Sequence, residues 1–434
     1  MRRLTLLLTS CVLPLAAVPL RAQQRALTLA EALALAEKNA PDVVQAMGNV
    51  RSAGAGVRAA WGTFLPTVSS SANYGSSFSD GPSRTDPITG EVISGSSSSR
   101  SLSFGGSAQI DLFTGFSRGA NLSSSRANRT DAEAALAVAE SQSALQTTNQ
   151  FLLALQGADL VRVRNDAIRR AQEKLAIANA KLLTRAITIA DSLQAMVDLT
   201  RAQLALLTEE RNLADAEANL ARFVGMDGRV AATADSSLFR LATIGDTAAL
   251  LAEAQDRSPA VVRAGAQVRA AKANVSVVRA TYLPRVSLSA GTSFSGSDRS
   301  DFALFNGRSV NLGLSWPLFN GFARERDLVT RQVALEAAQS READARRQAG
   351  AALTSQLAAL SAAEQRARLT AQNLETARAS ARVQTERYRL GSIGIVELNA
   401  AQDALSNAET DAVSARYDYL RAKAQIEAIL GRTL

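Results

Sequence analysis

Two stretches of this chain align with each other at a distance of 206 positions: Leu182 to Met196, reading LLTRAITIADSLQAM, and Tyr388 to Gln402, reading YRLGSIGIVELNAAQ. In that register Ile187 meets Ile393, Ile189 meets Ile395, and Asp191 meets Glu397. Each stretch interrupts a run from which proline is absent. All nine prolines lie at or before Pro317, and neither Ser117 to Leu183 nor Ala323 to Arg389 contains one. With glycine scarce as well, each run reads as one helix about 100 Å long at ~1.5 Å per residue. A chain that builds the same long helix and the same break twice has little freedom left in its fold.

Other landmarks repeat too. Pro41 aligns with Pro259, and Phe64-Leu65-Pro66 aligns with Tyr282-Leu283-Pro284, both 218 residues apart. Leu112-Phe113-Thr114-Gly115-Phe116 aligns with Leu318-Phe319-Asn320-Gly321-Phe322 at 206, as Gly225 does with Gly431. The first half is therefore longer by 12 residues between Pro66 and Phe113, and Asp80 to Arg100, rich in Ser, Gly and Pro, reads as a loop. Each half opens with helical segments, Leu27 to Asn39 and Asp42 to Thr63, then Thr247 to Arg257 and Ala260 to Thr281, parted by Pro41 and Pro259.

After each helical pair the hydrophobic period changes from helical to two. Val68, Ala72, Tyr74 and Phe78, then Leu102, Phe104, Ala108, Ile110 and Leu112, alternate with Ser, Asn, Gln and Asp. The second half repeats this with Val286, Leu288, Ala290, Thr292 and Phe294, then Val310, Leu312, Leu314, Trp316 and Leu318. A half-buried soluble sheet has the same period, but its polar face normally carries Lys and Glu, and here that face is mostly Ser and Gly. Length and alternation suit membrane-spanning strands of about 9–11 residues. Phe113, Phe116, Trp316, Phe319 and Phe322 at the strand ends suit an interfacial aromatic girdle. Four strands do not close a barrel, and an open edge in lipid leaves backbone groups unpaired, so copies of the chain are expected to complete the sheet. Two copies give eight strands and a filled interior, three give twelve and an open lumen.

Heptads run into both breaks. Leu353, Leu360, Ala367, Leu374, Ala381 and Tyr388 recur every seven residues. Beyond the second break Leu398, Leu405, Ala412, Tyr419 and Ile426 form one seam, and Ala401, Ala408, Ala415, Ala422 and Ile429 another. Beyond the first, Leu199, Leu206, Leu213 and Leu220 run beside Ala195, Ala202, Ala216 and Phe223, with Glu209 interrupting the second seam. Two seams on one helix call for a neighbour on each side, a curved wall of helices rather than a two-stranded coil.

Composition narrows the function. The chain has no histidine and a single cysteine, Cys11, so nucleophile–histidine dyads and Cys/His metal sites are excluded, and no cofactor or metal is expected. No carboxylate pair stands in a recognisable cleft, so an enzyme is not expected. Met1 to Ala22, with Arg2 and Arg3 before an apolar run, reads as a secretory leader cleaved after Ala22. Lipidation at Cys11 is the competing processing, since Leu8-Thr9-Ser10-Cys11 fits the short lipoprotein pattern while leaving a short apolar run. The net charge of +8 alternates in sign along helices, as in Arg324-Glu325-Arg326-Asp327, which is not the footprint of a nucleic-acid partner.

Together these features resemble the TolC-like outer-membrane efflux and secretion channels. The likeness covers nearly the whole chain and rests on the opening LTLAEALALAEKNAP (Leu27 to Pro41), the Leu65-Pro66 and Leu283-Pro284 corners, the two-half repeat and the break at Tyr388 to Gln402. The resemblance implies a mainly α fold with a transmembrane β part. Residues 23–245 form the first repeat, with a β-hairpin at about 67–113, a long helix 117–183, a tip 184–190 and a return helix 191–224. Residues 246–434 form the second, with a hairpin at about 285–318, a long helix 323–389, a tip 390–394 and a return helix 395–430. It further implies a homotrimer with a twelve-strand barrel in the outer membrane of a Gram-negative-type bacterium and a helical tunnel in the periplasm. Its partners are a periplasmic adaptor and an inner-membrane pump of RND, ABC or MFS type, with outer-membrane lipid around the barrel.

By the same resemblance the tunnel closes at the breaks. Tyr388 takes the place of a linking tyrosine, Glu397 of a pore-facing acid and Asp191 of the first-half acid. Ile393 stands where the family has a linking arginine and Ala400 where it has a second acid, so apolar contact at Ile393 and Ile187 is expected to serve instead. Asp191 and Glu397 also suit helix N-termini electrostatically, and one side chain can do both. Arg185, Ala186, Ile187, Gly391, Ser392 and Gly394 are the expected adaptor-docking tip. The competing reading is a periplasmic structural or adaptor-like coiled coil whose strands form a soluble domain.

Overall fold

The computed structural model describes residues 25–93, 95, 97–235, 246–298 and 301–434. The leader, Cys11 and the junction at 245 between the expected repeats lie wholly or partly outside these residues. The elements are β1 (Arg25–Leu27), α1 (Leu29–Asn39), α2 (Pro41–Gly62), β2 (Thr67–Ser79), β3 (Arg84–Thr85), β4 (Val92–Ile93), β5 (Ser97–Phe113), α3 (Ser117–Leu183) and α4 (Ile189–Val224). They continue with β6 (Val230–Ala232), α5 (Thr247–Arg257), α6 (Pro259–Arg279), a 3-10 turn (Ala280–Tyr282), β7 (Arg285–Ser297), β8 (Phe305–Ser315), α7 (Ala323–Arg389) and α8 (Ile395–Leu430). The chain divides into two compact units. One comprises Met1–Asn39, Gln146–Leu241 and Ala363–Arg421; the other comprises Ala40–Leu145, Ala242–Ala362 and Ala422–Leu434.

In the second unit β2, β5, β7 and β8 form one antiparallel sheet in the order β2-β5-β7-β8, with β2 and β8 at its edges. Register aligns like with like. Val68, Ala108, Ala290 and Val310 lie in one row across the four strands, and Ser69, Ser107, Gly291 and Ser309 in the next. One face is thus mainly apolar, interrupted by the row Ser70, Gly106, Thr292 and Arg308, with Phe104 and Phe294 stacked at 5.0 Å between ring centres, while the other is mostly Ser, Gly, Asn and Gln. The apolar face is bare: Val68, Tyr74, Phe78, Val310, Leu312 and Leu314 are all exposed. Such a face is unfavourable in water, since each side chain forgoes about 1.5–3 kcal/mol of burial.

Among its described residues the first unit is helical apart from β1 and β6, which pair in parallel, Leu27 opposite Ala232. The expected helix from Leu27 therefore begins two residues later. Leu27 is buried in this strand, and Thr28 starts the helix by exchanging hydrogen bonds with Glu31, a capping box. Further corrections are local. Pro41 and Pro259 open their helices instead of preceding them, because a proline without an N–H fits the first turn. The Asp80 to Arg100 loop contains the two-residue pair β3–β4, whose turn is held by the Asp86 carboxylate accepting from the Ile88 N–H at 2.8 Å. β8 stops at Ser315, leaving Trp316 and Leu318 beyond the strand, and a bulge at Asp111/Phe113 ends the strict alternation around Leu112. α4 starts at Ile189, inside the expected tip.

The heptads describe real packing. Leu353, Leu360, Ala381 and Tyr388 of α7 are buried, as are Leu398, Leu405, Tyr419 and Ile426 and the alanines Ala408, Ala415 and Ala422 of α8. Glu209 interrupts its seam for a reason: Arg164 of α3 donates to it at 3.2 Å. No helix among the described residues is long and apolar enough to cross a membrane.

Candidate functional site

The two aligned breaks fold as two helix–turn–helix corners in the first unit. At the first, the Ala186 N–H returns to the Lys181 carbonyl at 2.9 Å; at the second, the Ser392 N–H returns to the Arg387 carbonyl at 2.9 Å. Both pairs are equivalent in the 206-residue register, and both place a left-handed residue between them, Arg185 at φ 59° and Gly391 at φ 81°. Glycine takes this conformation freely, and arginine does so with strain. The corners are alike in path and unlike in chemistry.

The difference is sharpest where the return helices begin. Thr188 caps α4: its hydroxyl accepts from the Asp191 N–H at 3.4 Å, while the Asp191 carboxylate accepts from the Thr188 N–H at 3.0 Å and from its hydroxyl at 2.9 Å. The equivalent of Thr188 is Gly394, which has no hydroxyl to return. Glu397 is exposed, one of its oxygens lying 3.0 Å from where a Cβ on Gly394 would stand. Asp191 is committed to its own helix terminus, and Glu397 is left facing solvent.

Above the corners, four helices meet around one apolar cluster: Ala178 of α3, Ala195 of α4, Tyr388 of α7, and Ile395 and Leu398 of α8. Ile187 and Ile393 both pack against it, so the two isoleucines singled out in the sequence share one core. Tyr388 is 1% exposed, and its hydroxyl is buried without a hydrogen-bond partner. Burial, reinforced by the nearby negative charge of Asp191, raises the phenol's pKa. The Lys181 ammonium lies 4.4 Å from the centre of the Tyr388 ring and donates to that residue's carbonyl. Arg185, Gly391, Ser392 and Gly394 are exposed at the turns, as is Ala186.

Sequence reasoning missed the polar ties of α3. Lys174 is 4% exposed and donates to Asp198 of α4 and to Asn399 of α8, both at 2.7 Å. Arg170 makes a bidentate pair with Glu409 of α8, at 3.2 and 2.7 Å. Tyr417 of α8 donates to Asp159 at 2.8 Å, and burial with this carboxylate beside it raises the tyrosine's pKa well above the usual range. A signal existed: 206 residues after Arg164, Arg170 and Lys174 stand Thr370, Thr376 and Ser380, so the cations belong to one repeat only.

In the second unit, the aromatic residues sit at matched strand-to-helix corners. Phe113 and Phe116 meet edge to face at 5.5 Å, and Phe319 and Phe322 at 5.4 Å. Gly115 with Phe116 and Gly321 with Phe322 each give two consecutive left-handed residues, φ 61° and 66°, then 67° and 64°. Arg324 anchors its corner by donating to the carbonyls of Pro317 and Leu318 at 2.8 and 3.0 Å with its guanidinium over the Tyr282 ring. The Trp316 indole donates to the Tyr282 carbonyl at 3.2 Å. All five aromatics remain exposed.

The sequence matches the outer membrane efflux protein family over residues 32–226 and 250–432. It is 28% identical over 428 residues to the pyoverdine export outer membrane protein OpmQ of Pseudomonas putida, a match covering 93% of this chain and 85% of that protein. It is 32% identical over 240 residues to protein CyaE of Bordetella pertussis, covering 54% of this chain and about half of that protein, 49%. Among solved structures, it resembles CusC with a TM-score of 0.77 at 18% identity, covering 93% of this chain and 92% of that one. It also resembles the open-state MtrE outer membrane channel of Neisseria gonorrhoeae, with a TM-score of 0.73 at 16% identity and coverages of 93% and 89%.

Proposed function

The chain belongs to the outer membrane efflux protein family, and we propose that it is the outer-membrane exit channel of a tripartite efflux or type I secretion system. It works as a homotrimer, docks on a periplasmic adaptor fed by an inner-membrane pump, and performs no chemistry of its own. The observation that carries this reading is the sheet of the second unit. Its apolar face is exposed while its other face is Ser and Gly, and β2 and β8 end it with open edges. Lipid satisfies the first face, an aqueous lumen the second, and neighbouring copies the edges. Three copies give twelve strands, enough for an open bore. The exposed aromatics at the corners, Phe113, Phe116, Trp316, Phe319 and Phe322, then lie at the membrane interface.

The first unit supports the same assembly. α4 exposes Leu193, Val197, Leu204 and Leu207 at heptad spacing, and α7 exposes Leu369 and Val383, with Leu390 following seven residues on. Two different apolar seams on one chain make a head-to-tail contact that closes a ring. In that ring the corners form the periplasmic mouth. Tyr388, Ile187 and Ile393 supply the apolar closure, Glu397 an anionic ring and Asp191 the cap that fixes its helix. Arg185, Ala186, Gly391, Ser392 and Gly394 face the adaptor. Fractionation with planar-bilayer recording tests this: a detergent-stable trimer from outer membranes that conducts ions is expected, and a soluble, non-conducting monomer would sink it in favour of a periplasmic coiled coil.

A further inference from the structure

Lys174 lies two turns before Lys181 on α3, and both lysines hold the second corner. Lys181 reaches the carbonyl of Tyr388 at the end of α7. Lys174 reaches Asn399, in the second turn of α8 and one residue after the buried Leu398. Its other acceptor is Asp198, which also accepts from Gln194 at 2.9 Å and has Arg201 3.7 Å away. Position 380, the equivalent of 174 in the second repeat, is serine, so the tie runs in one direction only, from α3 to α8.

We propose that Lys174 is a positioning residue that latches the start of α8 to α3 and α4 and so holds the turn at 390–394 shut; this rests on the reading of the chain as a gated conduit. The physical basis is desolvation. An ammonium removed from water needs its acceptors, and Asp198 neutralises its charge while Asn399 completes its hydrogen bonding. Moving α8 away takes one acceptor from a buried cation, which opposes the movement. A cavity of about 260 Å³ beside the node, lined by Lys174, Asp198, Asn399, Gln402 and Asp403 among others, limits that penalty. Asp403, one turn beyond Asn399 on the same helix, makes no ion pair among the described residues. A shift of α8 by one turn along its axis therefore offers the lysine a second acceptor, and the latch has two arrangements instead of one.

The test is single-channel recording of the full-length trimer in planar bilayers, comparing wild type with Asn399→Leu and Asn399→Asp. Asn399→Leu removes the tie and leaves the Lys174–Asp198 pair; conductance or open occupancy is expected to rise several-fold. Asn399→Asp adds a charge to the acceptor at the same size and is expected to lower open occupancy, which keeps the latch testable if the leucine variant fails to assemble. Lys174→Arg is expected to stay near wild type. Intact trimers of both Asn399 variants that record as wild type overturn the latch alone. Intact trimers that conduct nothing, in wild type and in both Asn399 variants, overturn the conduit reading, and the latch with it.

Discussion

Lys181 holds Tyr388 twice, by its ammonium lying 4.4 Å from the ring centre and by donating to the same residue's carbonyl. The carbonyl belongs to the last turn of α7 and accepts from the Gly391 N–H at 3.1 Å, so the lysine adds a second donor, a C-terminal cap from another helix. Lys181→Met keeps the length of the side chain and removes both interactions. It is expected to destabilise the folded protein by about 1–2 kcal/mol, the scale of a charge-assisted hydrogen bond with a cation–π contact. A thermal melt of the detergent-solubilised protein checks it, and an unshifted midpoint would show that the Gly391 N–H satisfies the carbonyl without the lysine.

Tyr388→Phe should behave in the opposite way. The hydroxyl is buried without a partner, and an unpaired buried polar group carries a cost of about 1–3 kcal/mol. Its removal is expected to be neutral or stabilising. The raised pKa adds a pH signature: the folded state holds the phenolic proton more tightly than the unfolded state, so stability is level below the ordinary value of 10.0 and falls as pH rises above it. The phenylalanine variant should lose this part of the alkaline decline; melts between neutral pH and pH ~11 separate the two.

Asp191 and Glu397 align in the repeat yet should respond differently. Thr188→Ala or Asp191→Ala breaks the capping box and is expected to cost about 1 kcal/mol of stability while leaving ion preference unchanged. Glu397→Ala removes an exposed carboxylate without a capping partner. Higher conductance or weaker cation preference is expected from it in planar bilayers, and an unchanged trace would remove Glu397 from the gate.

At the first corner Arg185 holds φ 59° where the second corner has Gly391. Arg185→Gly relieves that strain and is expected to raise stability by up to about 1 kcal/mol, offset in part by the greater freedom of glycine in the unfolded chain. A lowered melting midpoint would mean that the arginine side chain makes a compensating contact in the assembly.

The exposed seams give a test of assembly that spares the fold. Leu204→Glu on α4 and Val383→Glu on α7 place charge on faces that are 59% and 54% exposed in the single chain. Each is expected to leave the helices formed, as read by circular dichroism, and to shift the protein from trimer to monomer by mass measurement in detergent. Trimers surviving both changes would place the contact elsewhere.

Sequence alone determined the long helices and the four strands of the sheet, because their signals are local. Glycine marked the starts of α3 and α7 and the end of α7, the 206-residue register marked the end of α3, a period of two marked β2, β5, β7 and β8, and a period of seven marked the buried seam of α7. The 206-residue register joined the two corners before any contact was known. Only the tertiary structure decided which polar residues matter. Lys174 meets Asp198 and Asn399 across 24 and 225 residues, and Leu27 becomes a strand only because Val230 to Ala232 lies beside it. An isolated lysine on a long helix looks like any solvated charge; its burial is set by which helix packs over it. The repeat, which made the corners legible, also hid their difference, since Thr188 and Gly394 take the same place in the chain and only the first has a side chain with which to hold its acid.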